Sequence, residues 1–451
     1  MVRRLGLLAG LVFVFSLVSC LDQGAQDLLN APADTALSST YGQLQRRIFD
    51  AQCIACHSAN TAAGRQSGLS LEAAASFQNL IGVRPTNAVA QSDGLVRVLP
   101  GRANASLLFH KLNWSPEHHA ARNYGSPMPL GGEPLTVGQL EFVRRWIAVG
   151  APRTGLVVDS TLLRDTRPQY VEEFKPLPLP ASGFQLHLDS FGVAPNFERE
   201  LFSYRQVGNT QEVYINRIET RMRLNGHHFL LMTFKDNTPS HIIPQRNVMR
   251  DIRAPDGAMQ YQNMLVMGWH QFFAGANTPY DDKRLPAGVA LRLPADALLD
   301  HNAHFINTGV RPIAGEVYVN LHTVPLSQVQ NVAQPFLRFD ETFTLPPQQR
   351  TTVTRTFLFD QPLTILMLTS HNHELGERFE IRIAGGARDG ELVYTSTDWK
   401  HPNILWLSQP LALQAGQGLT AVVTYNNTTT RVIGHGLLST DEMLVLRGYA
   451  Y

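Results

Sequence analysis

The chain has 451 residues, 44% of them hydrophobic and 17% charged, and its 38 lysines and arginines against 37 aspartates and glutamates leave a formal net charge of +1. That length exceeds one compact core and calls for two or three domains. The near-neutral balance leaves no basic surplus, which excludes nucleic acid as a partner.

Residues 1–20 place Arg3 and Arg4 before an apolar run from Leu5 to Leu17, too short to span a bilayer stably, as in a signal peptide. The run ends Leu17-Val18-Ser19-Cys20, which resembles the bacterial lipobox. The resemblance implies lipidation of Cys20 and a membrane anchor; a plain secretory signal with a chance cysteine is the alternative. Either reading takes the protein out of the cytoplasm, and the lipid anchor implies the cell envelope, facing the periplasm or at the cell surface. Residues 21–40 are small and polar and read as a tether. Besides Cys20 there are only Cys53 and Cys56. If lipid and a cofactor claim all three, no disulfide remains, and the domains hold together by apolar burial alone.

From Tyr41 the pattern turns helical. Leu44, Ile48 and Phe49 recur at helical spacing, as do Leu140, Val143 and Ile147 in the segment Val137 to Val149. Thr136 with Gln139 forms a capping box, and Gly150 is placed to end that helix. Residues 41–152 are thus expected to form a helical domain, and 153–180, with KPLPLP, a stiff linker. Beyond 181 come short alternating strands beginning at Glu212, His228, Glu316, Thr352 and Phe379. They predict two all-β, jelly-roll-like sandwiches over 181–330 and 331–451, with the boundary near Pro325 to Pro335.

Cys53-Ile-Ala-Cys56-His57 is the attachment signature of haem c: the thiols add to the vinyl groups, and His57 is carried beneath the iron as proximal ligand. A thioredoxin-like pair would need a βαβ context and leaves His57 without a role. Met128, between prolines in Ser-Pro-Met-Pro, is the expected sixth ligand, and a Met/His pair raises the potential toward electron transfer. His110, His118 and His119 are its rivals, and a buried gap-filler is the plain alternative for Met128. The stretch with PGRANASLL, SPMPLGG and TVGQLEFVRRWIAVGAP resembles the small cytochrome c domains of exported bacterial proteins, which implies an α-helical cytochrome c domain over 41–152.

In the β-rich half, His227 and His228 are adjacent in RLNGHHFLL, so both reach one metal only if the strand bends, which Gly226 permits. His371 and His373 lie two apart in LTSHNHELG and share a face on a strand. The order HH, then HNAHFIN, then HNH, then DEMLVL resembles the copper type II monooxygenases, the family of peptidylglycine α-hydroxylating monooxygenase and dopamine β-hydroxylase, over roughly residues 181–451. That resemblance implies two copper ions in two β-sandwiches. His227, His228 and His304 would hold an electron-transfer copper, with His301 an alternative to His304. His371, His373 and Met443 would hold the copper that binds dioxygen and a small organic substrate.

The sequence departs from this family in offering no bracing disulfides. Thr369 stands where peptide-acting members place an arginine for the substrate carboxylate, so a C-terminal glycine peptide is a poor substrate. The resemblance therefore implies a monooxygenase that hydroxylates a C–H bond, with electrons passing through the fused haem c from a donor the sequence does not name. A non-catalytic envelope electron carrier or copper-binding module is the alternative, and a β-rich adhesion sandwich with incidental histidines is a third reading.

Overall fold

The computed structural model describes residues 38–115, 124–171, 173–397, 399, 402–436 and 441–451. The signal-peptide and lipidation expectations, including Cys20, lie outside the described residues, as do His118 and His119. No helix among the described residues is long and apolar enough to cross a membrane. By its contacts the chain forms two compact units, residues 1–129 with 133–172, and residues 130–132 with 173–451.

The first unit is built from short helices. Thr40–Leu44, Ala62–Ser67, Ser76–Leu80, Ala88–Ser92 and Leu107–Leu112 are each about a turn and a half, and among the described residues only Val137–Ala148 reaches 12 residues. That longest helix starts at a true capping box: Thr136 Oγ1 accepts from Gln139 N at 3.1 Å while Gln139 Oε1 accepts from Thr136 N at 2.9 Å. Its end falls at Val149, before Gly150 at φ +100°. Leu44, Ile48, Phe49, Phe77, Leu80, Phe142, Val143, Trp146 and Ile147 make one buried cluster. Residues 160–164, expected in a linker, form a 3₁₀ turn of this same unit.

The second unit is β-structure. Its first half holds β1 (Gly183–Val193), β2 (Phe197–Gln206), β3 (Val213–Met222), β4 (Gly226–Phe234), β5 (Met249–Asp251), β6 (His270–Ala276), β7 (Tyr280–Arg284), β8 (Val289–Leu293), β9 (Leu298–Asn307) and β10 (Ile313–Val324). Its second half holds β11 (Asn331–Asp340), β12 (Thr344–Leu345), β13 (Gln349–Leu358), β14 (Leu363–His371), β15 (Gly376–Ala384), β16 (Leu392–Ser396), β17 (Leu405–Leu413), β18 (Gly418–Asn427), β19 (Ile433–Gly434) and β20 (Leu444–Ala450). The five runs read as strands from the sequence fall largely within β3, β4, β10, β13 and β15.

The expected fold class, an α-helical cytochrome c domain followed by two all-β, jelly-roll-like sandwich domains, is overturned. Among the described residues strand makes up 42% and helix 16%, the helices are short, and no α-helical cytochrome domain is evident. The helical spacing was real at Leu44–Phe49 and Leu140–Ile147, but Pro85, Gly94, Pro100 and Gly101 interrupt the chain between them. Nor are the sandwiches separate. A nine-stranded sheet in the order β1-β10-β3-β8-β11-β20-β14-β17, with β7 beside β3, runs through both halves. The join is β11, whose Asn331–Ala333 pair parallel to β8 while Gln334–Asp340 pair antiparallel to β20.

Three smaller sheets accompany it: β5-β2-β9-β4-β6, β13-β18-β15-β16 and the two-stranded β12-β19. One core, including Phe229, Leu231, Ala303 and Phe305, belongs to the first half, and a second, including Leu368, Ile381, Val423 and Leu446, to the second. Met367 and Tyr449 of the second half join the first core, where Tyr449 donates to the Phe272 carbonyl at 2.8 Å.

Candidate metal centres

Cys53 follows the short helix Asp50–Gln52, and its carbonyl accepts from both Cys56 N (3.1 Å) and His57 N (2.8 Å), winding the motif into a turn. Burial, with the neighbouring Cys56 and Asp50 adding to it, pushes the Cys53 thiol up to about 12, and burial also raises Cys56. Raised thiols are the reverse of the low-pKa thiolate of a CxxC redox pair. His57 is pushed below the ordinary histidine range, mainly by burial and next by the charge of Lys111. Its Nδ1 is buried with no hydrogen-bond partner.

Met128 is half-buried against the same core as Cys53, Ile54 and Leu69. Its backbone is held on both sides, Met128 N donating to the Lys111 carbonyl at 2.7 Å and Trp114 Nε1 donating to the Met128 carbonyl at 2.7 Å. Half-buried Lys111, pushed down to about 8 by desolvation, donates to the Tyr124 carbonyl at 3.2 Å and to that of Ser126. His110, a rival ligand, contacts the Asn104 carbonyl through Nε2 at 3.0 Å. The buried, unpartnered His57 Nδ1 and the half-buried Cys53, Ile54, Leu69 and Met128 packed on one core are compatible with a haem that Cys53, Cys56 and His57 would hold.

On the five-stranded sheet, β4 and β9 pair with a register shift between Gly226 and His228. The extra residue is His227, so the bulge lets two adjacent histidines serve one place. His304 pairs with His228 on β4 and with Glu200 on β2. The rings of His227, His228 and His304 lie 4.9 to 5.7 Å apart by centroids. One potential ligand atom from each lies within 4.8 Å of the others. Imidazole–metal bonds are about 2 Å long, so small side-chain rotations close these three around one ion. His301 belongs to the opposite face: it is 1% exposed, with its ring 5.7 Å from Phe229 in the core. Burial, helped by the charge of Arg205, pushes it down to about 3.

Three polar side chains surround this trio. Asn302 Nδ2 donates to Glu200 Oε1 at 3.0 Å and lies 3.4 Å from the Leu201 carbonyl. Its Oδ1 is thereby turned to accept from His228 Nε2 at 2.9 Å, which leaves His228 Nδ1 as the lone-pair nitrogen. Glu198 Oε1 lies 2.8 Å from His304 Nε2. Burial works against ionisation of Glu200, but the nearby imidazoles of His228, 3.8 Å away, and His304 prevail and hold it down at about 2. Sequence reasoning missed all three. Their signal was the two-residue period of FEREL and HNAHF, which sets each acid and Asn302 on the face carrying His304.

In the second half, His371 ends β14 and His373 lies just beyond, the two rings 5.1 Å apart at 82°. His373 Nδ1 donates to the Asp441 carbonyl at 3.1 Å, which places the ring proton on Nδ1. Glu442 is fully buried, and its carboxylate accepts from His373 N (2.9 Å), Leu375 N (2.7 Å) and Met443 N (3.2 Å). One side chain thus ties the HNH turn to the residue before β20. Burial raises Glu442 to about 7. Tyr425 Oη donates to the Met443 carbonyl at 2.7 Å. Across β14 and β20, His371 pairs with Val445 and Thr369 with Arg447, so Arg447 shares the sheet face of His371. Arg447 Nε is buried without a hydrogen-bond partner. His371 is pushed well below the ordinary range, first by burial and next by Arg447.

No protein-family model and no curated protein matches this chain. Among solved structures, the chain is similar to a triple jelly-roll protein of an archaeal virus at 7% identity and TM-score 0.19, over 60% of this chain and 56% of that one. The PBSX exported protein XepA aligns at 12% identity and TM-score 0.15, over 61% and 89% of the two chains. VP54 of PBCV-1 aligns at 8% and 0.16, over 61% and 95%. Likenesses this slight add nothing to the reading of either centre.

Proposed function

We propose that this protein is a copper-dependent monooxygenase that hydroxylates a C–H bond of a small organic substrate with dioxygen, its electrons reaching the copper through a haem c attached at Cys53 and Cys56. The observation that carries the reading is the convergence of His227, His228 and His304, from two strands of one sheet, within 4.8 Å of one another. The His371–His373 pair with its own fixed tautomer adds a second donor set. When bound, copper at these sets supplies one-electron chemistry and dioxygen activation, and haem supplies an electron store.

The residues divide that work. His227, His228 and His304 present imidazoles on a rigid β-surface, His228 with its proton fixed on Nε2 by Asn302. His371 and His373 present imidazoles at a strand end, with Met443 as the thioether donor that favours the reduced ion. Glu442 orients the backbone of His373 and Met443 together, and Asp441 holds the His373 proton on Nδ1. His57 and Met128 serve the haem iron. The Cys20 lipid would hold the protein to the cell envelope.

The test combines elemental analysis, a pyridine haemochrome spectrum and oxygen-uptake measurements on the full chain. The expected result is two coppers and one haem per chain, with oxygen uptake coupled to product; His304→Ala should leave one copper and remove coupled turnover. A copper-loaded, reduced protein that consumes no oxygen with any C–H substrate overturns the monooxygenase reading and leaves an electron carrier. A protein that takes up no copper overturns both.

A further inference from the structure

Independently of the metal centres, we propose that the outer face of β1, β10 and β3 is a peptide-binding groove for an extended aromatic and proline-rich segment, and that residues 174–178 of this chain fill it in cis as a releasable latch. These residues, Phe-Lys-Pro-Leu-Pro, fall in the stretch expected from the sequence to be a stiff linker. Yet Leu177 is only 5% exposed and Phe174 is half-buried, whereas a free spacer would leave both in water.

Two neighbouring cross-strand rows build the groove. In one, Gln185 of β1, Asn320 of β10 and Glu219 of β3 stand side by side. Gln185 Nε2 donates to the Leu177 carbonyl at 2.9 Å and to Asn320 Oδ1 at 3.0 Å, while Asn320 Nδ2 donates to the Pro178 carbonyl at 2.8 Å and to Glu219 Oε2 at 3.2 Å. Each amide is thus oriented by its neighbour in the row and turns one N–H to a carbonyl of the segment. In the other row stand His187, Tyr318 and Arg221. Phe174 packs here, its ring centroid 6.0 Å from that of Tyr318, 4.7 Å from Arg223 Cζ and 6.0 Å from Arg221 Cζ. The walls are fixed in turn: Tyr318 stacks on His187 at 4.1 Å, and Arg223 Nη2 donates to Glu316 Oε2 at 2.8 Å.

The chemistry of the occupant follows from these walls. A ring set against guanidinium and tyrosine, a buried leucine three residues on, and two successive carbonyls read by side-chain amides call for an extended chain. Pro176, Pro178 and Pro180 favour the polyproline II form, whose carbonyls make no internal hydrogen bonds and whose stiffness lowers the entropy lost on docking. The contact is also easily undone. Among the described residues the segment forms no ladder with β1, and its prolines have no N–H to offer one. A segment held by two side-chain amides and two apolar side chains belongs to the low-stability end of a fold. A chain of the same pattern supplied from outside therefore competes for the groove.

The experiment follows cutting of the full chain by glutamyl endopeptidase between Glu173 and Phe174, read as the appearance of a fragment that begins at Phe174. Phe174→Ala combined with Leu177→Ser should be cut at least about tenfold faster than the parent, from loss of a buried leucine and a cation–π contact. Asn320→Ala leaves both apolar side chains in place and should be cut about fivefold faster, which carries the test if the double variant does not fold. A fluorescent synthetic peptide of residues 173–180, added up to about 1 mM to match the effective concentration of a short tether, should bind the double variant by anisotropy and not the parent. Adding Arg223→Ala to the double variant, or replacing the peptide's phenylalanine with alanine, should remove that binding. Equal cutting of the parent and both variants overturns the latch. A peptide that binds parent and double variant alike, or binds neither, overturns the groove.

Discussion

The two units hold their candidate metal ligands in opposite ways. In the first, Cys53, Cys56 and His57 occupy five consecutive residues wound into one turn, and the surrounding helices are mostly short. In the second, His227 and His304 are 77 positions apart and meet only because β4 and β9 pair in one register around a bulge. A group attached by covalent bonds needs little from the scaffold beyond a contiguous motif and an apolar seat. An ion held by coordination alone needs its donors placed in advance, and a β-sheet with a buried face supplies that rigidity.

Three changes sharpen the contrast, from the largest expected effect to the smallest. Replacing both Cys53 and Cys56 with Ser should remove all covalently bound haem, read as loss of haem stain on a denaturing gel, while copper stoichiometry stays at two. Loss of copper as well would show that the two units do not hold their metals independently.

The next effect is a pH dependence in the β-unit. His301 is fully buried and pushed down to about 3, so the folded state leaves it neutral where the unfolded chain takes up a proton. Its folded pKa is depressed, so its contribution is complete above the unfolded value of 6.5 and is lost as pH falls from there toward 3. At pH 5 the loss amounts to about 2 kcal/mol. Denaturant unfolding of metal-free protein at pH 7.5 and pH 5 should show this drop, and His301→Leu should flatten it by that amount. An equal drop in the variant would place the pH sensitivity elsewhere.

The smallest effect tests the one long helix of the first unit. Thr136→Ala removes an oxygen that accepts from Gln139 N and should cost about 1 kcal/mol. Thr136→Asp, which keeps an acceptor, should restore most of it. Thermal unfolding followed by helical circular dichroism reads both, and an unchanged midpoint for the alanine variant would mean that the capping box does not limit this unit.

Local signals in the sequence specify local features of the fold: the capping box at Thr136, the helix end at Gly150, the strands through Val213, His228 and Val317, and the bend that Gly226 permits beside His227. Pairing of Glu198 and Glu200 with the histidine trio is not legible in that way, because it depends on which strand lies beside β9. The sequence therefore determined which residues could carry redox metals and which segments could be helix or strand, since both follow from side-chain chemistry and short-range periodicity. Tertiary structure alone decided three things: that β11 joins the two sandwiches into one sheet, that His304 and not His301 faces His228, and that Glu442 ties the HNH turn to Met443. Each is set by strand register between distant segments, which burial of a whole sheet face selects and which no local pattern encodes.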